Sequence, residues 1–245
     1  MGSEMCIRDS SKIVDGKSLV MSMAKDLAIF DLDYTLTKRG TWARFIIRGV
    51  LPRPHLWIPL ILITALSQIR YKRQRSPRIA VKSAMLKWSI AGLPRDKVER
   101  LAQSFAIREV KNGLRPGAVK ALEFHRARGD EIMIASAAVD IVVKAISQHL
   151  DIKHYVATDM AWTEQNRLDT SFASPNCYAK EKLRRIIDYL DENPKLKQFL
   201  TNITMYSDSY SDLDVLQFSD VGVAVNPDMR LRQYAQEHGM RIEIW

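Results

Sequence analysis

Five short apolar runs punctuate the chain, at residues 27–32, 131–135, 154–158, 203–206 and 221–225. Each is too short for a helix, and each suits a strand buried on both faces of a parallel sheet. Between and after them the apolar positions recur at helical spacing, over 117–128, 140–149, 180–190 and 229–238. Strands alternating with helices predict an α/β fold, a parallel sheet covered by helices. In such sheets, functional groups gather beyond the carboxyl ends of the strands. Asp31, Asp33, Ser136 and Asp208 all fall there.

Residues 38–112 break the alternation. They read as helices at 42–50, 56–69, 79–90 and 95–110, and the last carries Val98, Leu101 and Phe105 on one face. The expected organisation is therefore a catalytic core of 24–37 and 113–245, with a helical insertion at 38–112 after the first strand. Residues 159–177 fit either a β-hairpin flap or an irregular loop. Residues 1–23 differ in character from the rest of the chain. They are expected to be a flexible or non-native tail, with Met21 or Met23 a natural start. No internal repeat or low-complexity segment interrupts the rest.

The chain of 245 residues is 47% hydrophobic and 27% charged, with only 10 Gly and 9 Pro, which excludes disordered and collagen-like classes. Two cysteines, Cys6 and Cys177, can neither staple a framework nor alone build a zinc site. With no signal-like start and no apolar run of about 18 residues, a cytoplasmic location is expected.

Charge alters this picture. The net +9 is concentrated between Asp33 and Asp96, where thirteen Lys and Arg occur with no acid, leaving −4 for the remainder. Such a block suits an anionic partner: lipid head groups, nucleic acid or a highly phosphorylated molecule. The apolar run 55–69, with Trp57, lies inside it, between Arg48 and Arg53 on one side and Arg70, Lys72, Arg73 and Arg75 on the other. It fits a packed helix of the insertion, a helix lying in a membrane interface, or a spanning segment.

Two acidic sites carry candidate chemistry. Asp31-Leu-Asp33-Tyr-Thr35 follows the first strand, where one carboxylate could attack or bind metal while its neighbour moves a proton. Asp208-Ser-Tyr-Ser-Asp212 follows another strand and could share a hard cation, or simply cap a helix. Ser136 and Lys182 fit the same chemistry, but equally a helix cap and a solvated lysine.

The order of these elements resembles the haloacid dehalogenase superfamily, in particular its phosphoserine phosphatase-like subclass, whose cap follows the first motif. Phe30-Asp-Leu-Asp-Tyr-Thr-Leu36 resembles motif one and Ile134-Ala-Ser136 motif two. Asn176-Cys-Tyr-Ala-Lys-Glu-Lys182 is similar to the segment of motif three, and Tyr206-Ser-Asp208-Ser-Tyr-Ser-Asp212 to motif four. One departure is Ala179, where the family usually has glycine.

The resemblance implies a Rossmann-like core and phosphomonoester hydrolysis. Asp31 would be the nucleophile and Asp33 the general acid and base. Ser136, Lys182 and Thr35 would bind the phosphoryl group, with Lys180 as a rival for the lysine role. Mg²⁺ would sit on Asp31, the backbone carbonyl of Asp33, and Asp208, with Asp212 orienting that shell.

The substrate's amino group is usually held by a glutamate after motif one in phosphoserine phosphatases. Here Gly40 stands near that place, which disfavours phosphoserine. A looser resemblance to bacterial phosphatidylglycerophosphate phosphatases, with an apolar helix in the same position, implies a lipid-linked or polyanionic phosphate and a place at the membrane's inner face. The alternatives are a soluble small-metabolite phosphatase, or a non-catalytic basic module for membrane or nucleic acid. The paired Asp31 and Asp33 argue against the module and disfavour nucleic acid as a partner.

Overall fold

The structure, a computed structural model, describes residues 25–74 and 77–245. The expected tail 1–23 and Arg75 lie outside the described residues. Six strands form one parallel sheet: β1 (Lys25–Phe30), β2 (Glu131–Val139), β3 (His154–Thr158), β6 (Leu200–Ser207), β7 (Val221–Val225) and β8 (Arg241–Glu243). Their order is β3-β2-β1-β6-β7-β8. The chain thus builds outward from β1 in both directions, which puts a topological switch point between β1 and β6.

Strand alternation sorts the core into two layers. Ala28 and Phe30 face a cluster that includes Ile134, Val223 and the inserted helices, through Phe45, Ile46 and Phe105. Leu27 and Ile29 face the opposite cluster, where Ile186, Leu190, Val215, Leu231 and Ala235 close the sheet. Both faces are covered, so the strands are apolar throughout rather than alternating.

The helical insertion comprises α1 (Thr41–Val50), α2 (Trp57–Lys72), α3 (Arg78–Lys87) and α4 (Arg95–Arg108). It leaves and returns through an antiparallel bridge between Thr37 and Leu114. The Lys38 N–H donates to the Gly113 carbonyl at 2.8 Å, and that of Arg115 to Leu36 at 2.9 Å. Helix α5 (Pro116–Arg128) then leads into β2, opening on a proline at its first turn and closing on left-handed Gly129. Helix α6 (Asp140–His149) joins β2 to β3.

Residues 159–177 contain a true hairpin, β4 (Met160–Trp162) against β5 (Leu168–Phe172). It is tied to the insertion by backbone groups. The Gly92 N–H donates to the Leu168 carbonyl, the Leu168 N–H donates to the Leu93 carbonyl, and Pro94 bridges Arg167. Helices α7 (Lys180–Glu192), α8 (Pro194–Lys197), α9 (Leu213–Phe218) and α10 (Met229–Glu237) complete the chain.

Two strands are among the elements that differ from the sequence expectation. Strand β2 runs on to Val139, with a register shift after Ala135, because Val139 regains pairing with Thr158. Strand β8 has one apolar residue, Ile242, between Arg241 and Glu243, so no hydrophobic run announces it. Charged side chains on a short edge strand also discourage pairing with another chain.

Candidate active site

The register sets the site. Phe30 pairs with Ile134 on one side and Tyr206 on the other, so Asp31 and Asp208, beyond their strands, lie close to the level of Ser136, at the register break of β2. After β1 the chain makes a tight loop, Leu32–Leu36, with Asp33 extended and Tyr34 at φ 66°. The Leu36 N–H returns to the Asp31 carbonyl at 3.3 Å and that of Thr37 to Leu32 at 2.9 Å. This immediate reversal brings both Asp31 and Asp33 to one cavity.

That cavity, of about 120 Å³, is lined by Asp31, Asp33, Ser136, Lys182, Asp208 and Asp212, with Tyr34 and Tyr178 among the other walls. A larger hollow of about 830 Å³ lies between α4 and α6, but its wall mixes Arg95, Glu99, Lys144 and Trp162. Of the two, the smaller gathers carboxylates around a buried cation.

Lys182 is buried, and its ammonium donates to Asp31 Oδ1 at 2.8 Å and to Asp212 Oδ2 at 2.7 Å. Lys180, on the same helix, is exposed and does not line the cavity. Burial alone would lower the Lys182 ammonium, but Asp212 and Asp31 outweigh it and keep it charged. Ser207 donates its hydroxyl to Asp212 Oδ2 at 2.7 Å, fixing that carboxylate from behind.

Asp33 accepts the Thr41 N–H at 2.8 Å, from the first residue of α1. Burial raises its carboxyl above the usual range despite this bond. Burial also raises Asp31, against the pull of Lys182, and moves Asp208 up to about 6. Ser136 accepts the Ala138 N–H at 3.0 Å, so its own hydroxyl proton stays available to a ligand oxygen.

Thr35 stands behind this wall rather than in it. It is fully buried, its hydroxyl donating to Asp208 Oδ1 at 3.2 Å and accepting the Asp208 N–H at 3.0 Å. It positions Asp208 and has no open path to a phosphoryl group.

Ser207, Thr41 and Lys82 also reach the site, although no sequence motif singles them out. Lys82, from α3, donates to the Ala137 carbonyl and to Asn176 Oδ1, the latter at 2.7 Å. It brings a cation from the insertion to the wall beside Ser136. Only the absence of any acid in its segment hinted at such a role. Cys177 is free and buried, and burial pushes its thiol up to about 11, so it is no nucleophile.

The turn before α7 is strained. Ala179 holds φ 53° and ψ −132°, a region that glycine alone adopts at low cost. Ala179→Gly is expected to stabilise the fold by about 1 kcal/mol, strain relief exceeding the extra chain entropy of glycine. Urea denaturation measures it, and a loss of stability would contradict this backbone geometry.

The cavity suits a hard cation. Four carboxylates face one ammonium, and Asp212 Oδ1 is buried with no hydrogen-bond partner among the described residues, a place that a cation's water would satisfy. No three His, Cys, Asp or Glu side chains among the described residues form a ready metal cage. Mg²⁺ does not need one, since it keeps several waters and takes one or two carboxylates plus substrate oxygens.

A family model described as haloacid dehalogenase-like hydrolase matches residues 28–217. The chain belongs to this family. A histidinol-phosphatase of Neisseria meningitidis serogroup C (strain 8013) is 25% identical over 221 residues, 88% of this chain and 96% of that protein. The crystal structure of a protein with unknown function from Bordetella pertussis Tohama I superposes with a TM-score of 0.77 at 24% identity. That match covers 90% of this chain and 98% of the other. A substrate-bound phosphoserine phosphatase complex shares the fold at a TM-score of 0.58 and 17% identity, over 89% and 93% of the two chains. The parallel six-stranded sheet flanked by helices is thus the Rossmann-like core of this hydrolase family.

Proposed function

We propose that the protein is a Mg²⁺-dependent phosphomonoesterase working through an aspartyl-phosphate. The observation that carries this reading is the buried Lys182 bridge between Asp31 and Asp212, beside Asp33 on its Thr41 tether. The hydrolase family and the name of the Neisseria relative support it.

In this reading Lys182 holds one oxygen of Asp31, and the other attacks phosphorus in line. The bond from phosphorus to the ester oxygen breaks, and Asp33 passes its proton to the departing oxygen. Its raised pKa suits a carboxyl that must carry a proton near neutrality. Asp33, now a carboxylate, then takes a proton from the water that attacks the aspartyl-phosphate, releasing orthophosphate and restoring Asp31. Ser136 and Lys182 hold the phosphoryl oxygens as charge builds. Asp31, the Asp33 carbonyl and Asp208 would hold Mg²⁺, which supplies charge stabilisation to the transferring group. Thr35 and Asp212 position Asp208 and Lys182.

Residues 38–112 act as the cap that selects substrate, over a core of 24–37 and 113–245. The acid-free basic segment favours a lipid-linked or polyanionic phosphate, with the protein cytoplasmic and peripheral to the membrane. The small cavity and the Neisseria relative favour a second reading, a small-metabolite phosphate. A hydrolysis screen with and without Mg²⁺ separates them, using phosphatidylglycerol phosphate and lysophospholipid phosphates against small amino-alcohol phosphates. No hydrolysis of any phosphomonoester, or hydrolysis indifferent to EDTA, would refute the proposal.

A pH effect follows from the carboxyl shifts. A carboxyl whose folded pKa is raised stabilises the fold below its unfolded value near 4, and this contribution is lost as pH rises through the folded value. For Asp208 that loss runs from near pH 4 to just above pH 6, and Asp31 and Asp33 shift in the same direction. EDTA-treated protein is therefore expected to lose about 2 kcal/mol between pH 5 and 8, roughly 4–8 °C in Tm. Mg²⁺, which needs the ionised carboxylates, is expected to raise Tm more at pH 8 than at pH 5. Thermal melts across that range decide it, and an equal Mg²⁺ effect at both ends would count against the cation site.

A further inference from the structure

Helix α2 leaves an apolar face uncovered. Ile58, Ile61, Leu62, Ala65, Leu66 and Ile69 recur at i, i+3, i+4, i+7, i+8 and i+11, the spacing of a helix face that belongs in a core. Yet this face is the exposed one: Ile58 is 72% exposed, Ile61 60% and Leu66 57%. The side turned to the body carries Leu60, the only buried residue of α2, with Thr64, whose buried hydroxyl has no partner among the described residues, and half-buried Ser67. Half-buried Trp57 and Ile63 complete the inward side, so α2 is apolar on both sides, and its wider apolar stripe, Ile58 to Ile69, is left without a partner among the described residues.

The charges at its end identify what. Arg70 and Lys72 occupy the last turn, Arg73 follows, and all three are exposed. No acid lies anywhere between Asp33 and Asp96. Pairing α2 with the same helix of a second copy, in either direction, would set basic flanks against basic flanks with nothing to neutralise them. Spanning is excluded on length and polarity, because no helix among the described residues is long and apolar enough to cross a membrane. An apolar face with a basic border on a short helix matches a helix lying in the plane of an anionic bilayer.

We propose that α2 is a membrane-docking helix, its Ile58–Ile69 face embedded among lipid chains and Arg70, Lys72 and Arg73 seated on anionic head groups. No residue of α2 lines the carboxylate cavity, so the proposal, which deepens the peripheral-membrane reading above, is tested apart from the phosphatase chemistry.

The test is sedimentation of the full chain with vesicles of phosphatidylcholine alone and of phosphatidylcholine with phosphatidylglycerol, at low and high salt. Wild type is expected to sediment with the anionic vesicles only, and salt is expected to weaken this by screening. Ile61→Ser with Leu66→Ser removes apolar contact at exposed positions. Arg70→Gln, Lys72→Gln and Arg73→Gln together remove the charge. Each set is expected to lower the partition coefficient, roughly 100-fold for the triple charge variant, with melting temperature and hydrolysis of p-nitrophenyl phosphate unchanged. Absence of wild-type binding at low salt would overturn the proposal, as would binding that survives Ile61→Ser with Leu66→Ser. So would a dimer in sedimentation velocity that those serines dissolve, since a second copy would then be the occupant.

Discussion

Asp31→Asn is expected to reduce phosphomonoester hydrolysis to background, while Asp33→Asn retains phosphorylation of Asp31 but slows turnover by about 10²–10⁴-fold. The difference follows from position. Asp31 is held by Lys182 at 2.8 Å inside the cavity, and an amide there lacks the charge and the nucleophilicity to displace an ester oxygen. Asp33 hangs from the Thr41 N–H, and an amide can keep that bond through its oxygen while losing the proton that the leaving group needs. With an activated ester such as p-nitrophenyl phosphate, whose leaving group needs little protonation, Asp33→Asn is expected to phosphorylate at near wild-type rate. The phosphorylated protein then accumulates, because no base activates water. Intact-protein mass spectrometry after mixing with substrate and Mg²⁺ reads this as an added phosphoryl group in Asp33→Asn and none in Asp31→Asn. Adduct or wild-type turnover in Asp31→Asn would remove Asp31 from the nucleophile's role, and wild-type turnover in Asp33→Asn would remove Asp33 from the acid–base role.

Much of this arrangement is legible in the sequence because strand ends in a parallel sheet are one-dimensional signals. The run from Leu27 to Phe30 must be buried on both faces, so the polar pair after it must sit at a sheet end. The same logic places Asp208, whereas Ser136 falls where β2 breaks register after Ala135 and before it pairs again at Val139. What the sequence does not carry is the direction of a side chain across a tertiary contact. Thr35 reads as a phosphate ligand by its place in the motif, yet its hydroxyl turns back to Asp208 because the loop closes through Tyr34. Lys82 lies 54 residues before Ser136 and reaches its neighbour only because α3 packs over the β2 end. The α2 face is a third case. Periodicity finds the apolar stripe, but only packing tells that the stripe is the side left outside. Strand β8 escapes for a different reason: its pairing with β7 is made by backbone groups, which composition does not report.

Lys182→Met is expected to cost about 3–5 kcal/mol of stability, as well as activity, because it strands two buried carboxylates. Lys182 is 2% exposed, Asp212 is 1% exposed, and the ammonium is the shared partner of Asp212 and Asp31. Removing it leaves like charges facing each other in a poorly hydrated space, where they can only take up protons or draw in water. The Asp31 carboxyl, already raised by burial, then loses the ammonium that pulls it down, so stability lost at pH 8 is expected to exceed that lost at pH 5. Asp212→Asn in the Lys182→Met background removes one stranded charge and keeps the Ser207 bond, and is expected to recover part of the loss. Asp212→Asn alone is expected to destabilise, since it weakens the hold on Lys182. Urea titrations of the four proteins at both pH values form a double-mutant cycle, and the coupling energy should be favourable and larger at pH 8. A cycle that closes with no coupling would mean that Asp212 does not sustain Lys182, and the positioning role assigned to it would fall.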